Sequence, residues 1–191
     1  MALSLLSLVL GTVCDLLALA FLARLAMQWA RVSFHNPVGQ FVMAVTDWAV
    51  KPLRRVVPGL FGLDLASLLL AWLTQTLYLA VIIGVAGLLG GGALFAIGLA
   101  ALGGLVETLR LAVYLAMGVI IIAAILSWVG PYSPVAPLFQ RLSQPLLAPV
   151  QRWLPPIGGV DLSPLVVLLA LQVLLMVLGH WRAAVLPFFL R

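Results

Sequence analysis

The sequence predicts an all-α, polytopic membrane protein with four transmembrane helices, built from two tandem repeats that each contain an interfacial amphipathic helix. Three observations carry that expectation. Hydrophobic residues make up 65% of the 191 residues and charged residues 8%, with a mean hydropathy of +1.26. A soluble domain carries about a quarter charged residues, so this chain cannot cover its surface against water. Several apolar stretches reach the ~20 residues that cross a bilayer at ~1.5 Å each. One stretch also occurs twice: residues 52–68 read PLRRVVPGLFGLDLASL and residues 149–165 read PVQRWLPPIGGVDLSPL.

An offset of 97 residues aligns the two copies without gaps. Pro52, Arg55, Pro58, Gly62, Asp64 and Leu65 fall on Pro149, Arg152, Pro155, Gly159, Asp161 and Leu162. Upstream, Asn36-Pro37 falls on Ser133-Pro134, and Val38, Phe41, Val42, Val45 and Ala49 fall on Val135, Leu138, Phe139, Leu142 and Leu146. Trp29 matches Trp128 if the second copy is two residues shorter just after the tryptophan. Downstream, Gln75 falls on Gln172. Such self-similarity defines the unit before any element is assigned: apolar helix, Trp, amphipathic segment, basic turn, Asp, apolar helix.

The pattern NP…PLRR…P…G.DL.SL, doubled in a small apolar chain, resembles the YggT (YlmG-like) family of bacteria, cyanobacteria and plastids. The resemblance covers nearly the whole chain. It implies an integral protein of the bacterial inner (plasma) membrane. It also implies a link to osmotic or ionic stress, to cell division or, in plastids, to haem attachment on a b-type cytochrome.

Residues 4–29 make the first span, with Trp29 and Arg31 at its interfacial end. No basic segment precedes it, and Asp15 and Arg24 interrupt it, so it reads as a retained span rather than a signal peptide. Residues 36–50 follow with Asn36 as N-cap and Pro37 at the first helical position. Their apolar face fits a helix lying in the membrane interface or one packed on the protein. Pro52 is expected to stop it. Asp64 then caps a second span, 65–89, by accepting first-turn N–H groups at the positive helix end.

Gly90-Gly91-Gly92 closes the first repeat, residues 1–89. Residues 93–104 are apolar but too short to span, so 90–104 reads as a hydrophobic connector. The second repeat, 105–191, holds a third span at 105–128 and an amphipathic segment at 134–147 broken by Pro137 and Pro145. A fourth span, 162–180, is capped by Asp161. Pro164 lies in its first turn, where the missing N–H matters least.

Four spans place both motif loops on one side, which carries seven Lys and Arg residues against three on the other. That bias makes the loops cytoplasmic and the termini external. Lys51, Arg54, Arg55, Arg141 and Arg152 set this topology, or contact anionic lipid at roughly 1 kcal/mol per charge. The net charge of +5 does not point to nucleic acid, because the basic residues flank membrane helices. The bilayer is the first partner; another membrane protein or a second copy is the next.

In each copy a proline and a glycine separate the arginine from the aspartate. Arg55 is therefore expected to close its turn on Asp64, and Arg152 on Asp161. Asp15 and Arg110 lie within spans, where ionisable groups are costly; they read as a structural pair or as part of a relay. Gln75 and Gln172 sit roughly 16 Å past their caps, where amides either bridge helices or line an ion path; at equal depth, their side chains are expected to approach each other or share a water.

Cys14 is the single cysteine, which excludes an intrachain disulfide and any multi-cysteine metal site. His35 and His180 fall on opposite sides of the predicted bundle, so no cofactor is expected. No catalytic constellation is present, and the chain reads as non-enzymatic. Two functions fit: a scaffold or assembly factor acting through its duplicated basic loops, or an ion channel or transporter with a polar midplane site at Asp15, Gln75 and Gln172.

Overall fold

The computed structural model describes residues 2–57, 59, 63–85, 93–129, 133–154 and 161–185. Among these the chain forms six helices: α1 Ala2–Trp29, α2 Pro37–Leu53, α3 Leu65–Val85, α4 Ala93–Val129, α5 Ala136–Trp153 and α6 Ser163–Val185. α1, α3, α4 and α6 are long and apolar enough to cross a membrane. α2 and α5 are two-faced. The order long, amphipathic, long thus occurs twice.

α1 ends in a Schellman turn. Arg31 takes the left-handed position with φ 51°. Arg31 N–H donates to the Gln28 carbonyl at 3.1 Å, and Val32 N–H to that of Met27 at 2.9 Å. Val32 packs back on Met27, the apolar contact that accompanies this motif. α2 starts where expected: Asn36 accepts the Gly39 N–H at 2.8 Å, with Pro37 in the first turn. A Cβ on Gly39 would lie 2.7 Å from the Phe34 Cα, so the tight entry requires glycine.

Val42, Thr46, Ala49 and Val50 of α2 are buried, whereas Phe41 and Trp48 are exposed. Phe41 therefore does not share the buried face of Val42 and Ala49. Nor does Pro52 stop the helix, which runs to Leu53 and closes with Arg54 N–H on the Val50 carbonyl at 2.9 Å. A proline in the last turn forfeits one bond without ending the ladder. α5 likewise runs unbroken through Pro145 and Pro149, both on its exposed side.

The connector expected at 90–104 is corrected. Residues 93–104 are the first turns of α4, and Gly103-Gly104 lies inside that helix; Gly90, Gly91 and Gly92 lie outside the described residues. Glycine in a helix costs about 1 kcal/mol against alanine, but here it permits close packing. A Cβ on Gly104 would stand 2.8 Å from the Thr76 N and 2.9 Å from its Cα. Nearby, Trp72 Nε1 donates to the Ala101 carbonyl at 2.9 Å. Small residues that bring backbones together are a usual means of joining membrane helices. Because 93–104 is continuous with the third span, it makes no separate crossing. The 37 residues of α4 measure about 55 Å, so the helix must tilt or project beyond a ~30 Å hydrocarbon core.

α4 is the shared wall, packing on α3, α1, α5 and α6. Ile120 of α4, Leu147 of α5 and Val167 of α6 form one buried cluster. Leu138 of α5 packs on Met27 and Val32 beyond α1, so the two motif regions meet on one side of the bundle. α6 is the least buried of the four long helices.

Gly104→Ala should cost about 1–3 kcal/mol through overpacking against the Thr76 backbone. Gly98→Ala, whose added methyl meets nothing within 4 Å, should be neutral or gain up to ~1 kcal/mol. Unfolding midpoints in detergent compare the two; equal midpoints would contradict close α3–α4 contact.

Candidate functional site

In the first repeat the motif residues converge on a buried ion-pair cluster. Arg24 comes from α1, one and a half turns before Trp29, and is only 6% exposed. Its Nη1 donates to Thr46 Oγ1 at 2.8 Å and to Asp47 Oδ1 at 2.7 Å, both on α2. Thr46 Oγ1 in turn donates a hydrogen bond to the Val42 carbonyl at 2.6 Å. Arg24 Nε faces Asp64 Oδ2 at 3.7 Å, too long for a hydrogen bond but close enough for charge attraction. Lys51 closes the outer side on Asp47 at 2.7 Å.

Asp64 is 1% exposed and stands at the head of α3. It accepts the Ser67 N–H at 3.3 Å and the Ser67 hydroxyl at 2.6 Å, which is the cap the sequence predicts. Its arginine partner is not the expected one. Arg54, not Arg55, grips the carboxylate with Nε at 3.2 Å and with Nη2, and also donates to Gln28 Oε1 at 2.6 Å. Because α2 runs past Pro52, successive side chains there point about 100° apart on the helix, and the inward position falls on Arg54. Arg55 is exposed. Pro58 and Gly62, the turn residues invoked for the closure, lie outside the described residues.

The second repeat shows the same one-residue correction. Gln151, at the position of Arg54, donates to Asp161 Oδ2 at 2.8 Å, and Arg152 is exposed; Pro155 and Gly159 lie outside the described residues. Asp161 accepts the Ser163 N–H at 2.9 Å rather than that of the next residue along. Proline at 164 occupies the Ser67 position and has no N–H to give. The other partners have also changed. Ser143 replaces Thr46 and Gln144 replaces Asp47. With the tryptophans aligned, Ala123 replaces Arg24 and Ser127 replaces Gln28. Where the first repeat holds a guanidinium, the second has a cavity of about 590 Å³. It is lined by Ala123, Ser127, Ser143, Gln144, Gln151 and Asp161, with apolar residues of α6.

The mid-span polar residues separate into two pairs. Gln75, 1% exposed, donates to Asp15 Oδ1 at 2.9 Å and ties α3 to α1. Arg110 takes Glu107 of its own helix, at 3.0 and 3.2 Å, so the expected Asp15–Arg110 pair is not formed. Gln172 is exposed on α6 and does not meet Gln75, whose amide goes to Asp15. Arg24 is the residue that sequence reasoning undervalued by treating it as a topology signal. A cation five residues inside an apolar span needs a partner, and that rule points to it.

The family model described as CCB3/YggT matches residues 3–85 and 102–182, which include both motif sites. The chain belongs to the CCB3/YggT family. Escherichia coli K12 has a relative, the uncharacterised protein YggT, 38% identical over 170 residues, or 88% of this chain and 86% of that one. A Vibrio alginolyticus protein, described as uncharacterised and lying in the proC 3′ region, is 37% identical over 167 residues, covering 87% and 89%. An uncharacterised Pseudomonas aeruginosa protein is 37% identical over 178 residues, covering 92% and 89%. No solved structure matches the chain.

The charge cluster of this YggT-family chain lowers the carboxyl pKa values around it. Burial alone would raise that of Asp64, but the Arg54 fork and the Ser67 hydroxyl outweigh it and bring it below 3.8. Lys51 and then Arg24 lower that of Asp47. The Ser163 hydroxyl and N–H, with Gln151, lower that of Asp161 against a smaller opposing effect of burial. Each folded-state pKa lies below its unfolded value, so each contribution is complete above about pH 4 and is lost as pH falls through the folded pKa.

The unfolding midpoint in detergent should therefore drop on acidification below about pH 4, and drop less in Asp64→Asn. At neutral pH, Arg24→Ala should cost at least about 1.5–3 kcal/mol, by removing charged hydrogen bonds and leaving Asp64 to Arg54 alone and Asp47 to Lys51 alone. Arg54→Gln should cost about 1.5–3 kcal/mol, whereas exposed Arg55→Gln should stay within about 0.5 kcal/mol. A larger loss from Arg55→Gln than from Arg54→Gln would contradict the pairing.

Proposed function

We propose that this YggT-family chain is a non-enzymatic scaffold or assembly factor of the bacterial inner membrane, acting from its basic motif face. The observation that carries this reading is the division of labour among its cations. Arg24 and Arg54 are engaged in joining the elements of the first repeat, and Lys51 is paired with Asp47 of its own helix. Arg55, Arg141 and Arg152 are exposed, free to meet anionic lipid or an acidic partner surface at roughly 1 kcal/mol each. The positive bias of this face makes it cytoplasmic. Exposed Phe41 and Trp48 on α2 suit a helix lying at the headgroup level. The resemblance stated above brings osmotic stress, cell division and cytochrome assembly as settings for such a role.

An ion-handling role is the second reading. It is favoured by one observation: Asp15 is a mid-span carboxylate on the exposed side of α1. Such a group is costly in lipid and commonly marks a pathway. Among the described residues its side-chain partner is the Gln75 amide, which makes a joint rather than a path.

Two measurements separate these readings. In cells, crosslinkers placed beside Arg55 and Arg152 should capture a discrete membrane partner, and Arg55→Gln with Arg141→Gln and Arg152→Gln should reduce capture several-fold. In proteoliposomes, ion flux should match that of protein-free vesicles; flux that Asp15→Asn abolishes would establish the ion-handling role instead. For topology, single cysteines at exposed Gln40 and Gln144, with Cys14→Ser, should both be shielded from an impermeant external reagent. Labelling of either one would refute a shared cytoplasmic face.

A further inference from the structure

We infer that the cavity of the second repeat is a binding site for the primary-ammonium headgroup of a phospholipid, with Asp161 as its anionic anchor. The first repeat shows what this architecture requires. At the same fold position Arg24 brings a guanidinium against Asp64 and Asp47. In the second repeat Ala123 leaves that space open. The remaining polar lining is neutral apart from Asp161, which lacks a cationic partner among the described residues. One monovalent cation would neutralise the cavity's single carboxylate. At about 590 Å³ the cavity has room for roughly twenty waters' share of liquid volume at ~30 Å³ each, ample for a headgroup.

The surroundings favour a lipid as the source of that cation. The cavity sits where the apolar stretch of α4 ends at Ser127 and that of α6 begins at Ser163, the level at which headgroups lie. Leu165 lines it and is 65% exposed. Leu169 and Val173 continue the same exposed row at helical spacing, a track for an acyl chain along the least buried span. Arg141 and Arg152 stand exposed on α5, next in sequence to lining residues Gln140 and Gln151 but not in the lining itself, so they make this end of the bundle basic without forming the ammonium site. An ammonium with three N–H donors can satisfy Asp161 together with the Gln144 and Ser143 oxygens; a trimethylammonium has none to give.

The test uses the full chain in nanodiscs containing phosphatidylethanolamine, phosphatidylcholine and phosphatidylglycerol in equal parts. Lipids retained after gentle detergent extraction are counted by native mass spectrometry. Wild type should retain phosphatidylethanolamine over phosphatidylcholine by about tenfold or more, the effect of losing hydrogen bonds to a charged group. Asp161→Asn should erase the preference. So should Ala123→Arg, which supplies from within the cation that the first repeat carries, and its unfolding midpoint should hold or rise. Equal retention of the two lipids by wild type, or a preference that survives Asp161→Asn, would overturn the site. Preference for phosphatidylglycerol would also overturn it, by showing that the arginines choose the lipid. Occupancy by methylguanidinium without any ethanolamine preference would assign the cavity to a protein side chain and refute the lipid. The site does not depend on the scaffold role: partner capture beside Arg55 would be unaffected by Asp161→Asn, so the two readings can fail separately.

Discussion

The guanidinium of Arg24 is the constraint on which the first repeat depends. Taking a cation out of water costs several kcal/mol, which must be offset by charges and acceptors held in good geometry. Thr46, Asp47 and Asp64 provide them, and they come from two other helices. α1, α2 and the head of α3 are therefore joined at one point, and the angle at which α2 leaves the bundle follows from it. Asp64 serves three partners at once: the arginine of the span, the arginine ending α2 and the first turn of α3. Arg24 is the one cation that both carboxylates share, so Asp47 and Asp64 are coupled through it.

The second repeat keeps the frame and discards the lock. The carboxylate at the helix head remains, and its neighbour one helix back still reaches it, now as a glutamine. The span that should deliver the cation delivers a methyl group at Ala123. α5 also carries Pro145 and Pro149 in its interior, each removing a helical hydrogen bond. The two copies thus divide into one closed by its own charges and one that presents an acidic, partly open cavity. α4 unites them, and glycines 103 and 104 let it seat closely on α3.

The architecture was legible in the sequence to a useful depth. Apolar length identified all four long helices, and Asn36 and Asp64 were read correctly as caps because capping depends on chemistry one to three residues away. Helix continuity was harder to read. Glycine and proline at 52, 103–104 and 145 look like stops in one dimension, yet each is accommodated: Pro52 in a last turn, Gly103-Gly104 against a close neighbour helix, and Pro145 on an exposed face. The site was misread by one residue for the same reason. Whether Arg54 or Arg55 faces Asp64 depends on how far α2 winds past Pro52, which no local pattern encodes. Gln75 was singled out correctly as a polar residue in a span, but Asp15 rather than Gln172 is its partner, since α1 and α3 are packed neighbours. The cavity was invisible to composition, because it is defined by what Ala123 lacks, and only the packing of α4, α5 and α6 leaves that space open.

Backbone hydrogen exchange measured on the full chain in nanodiscs tests the asymmetry between the repeats most directly. If Arg24 locks α2 to the spans while α5 has no such anchor, amides of α2 should exchange markedly more slowly than those of α5. Arg24→Gln should then raise exchange in α2 toward the α5 level and leave α5 unchanged. Equal protection of α2 and α5 in the wild-type chain, or an α2 indifferent to loss of Arg24, would contradict the account.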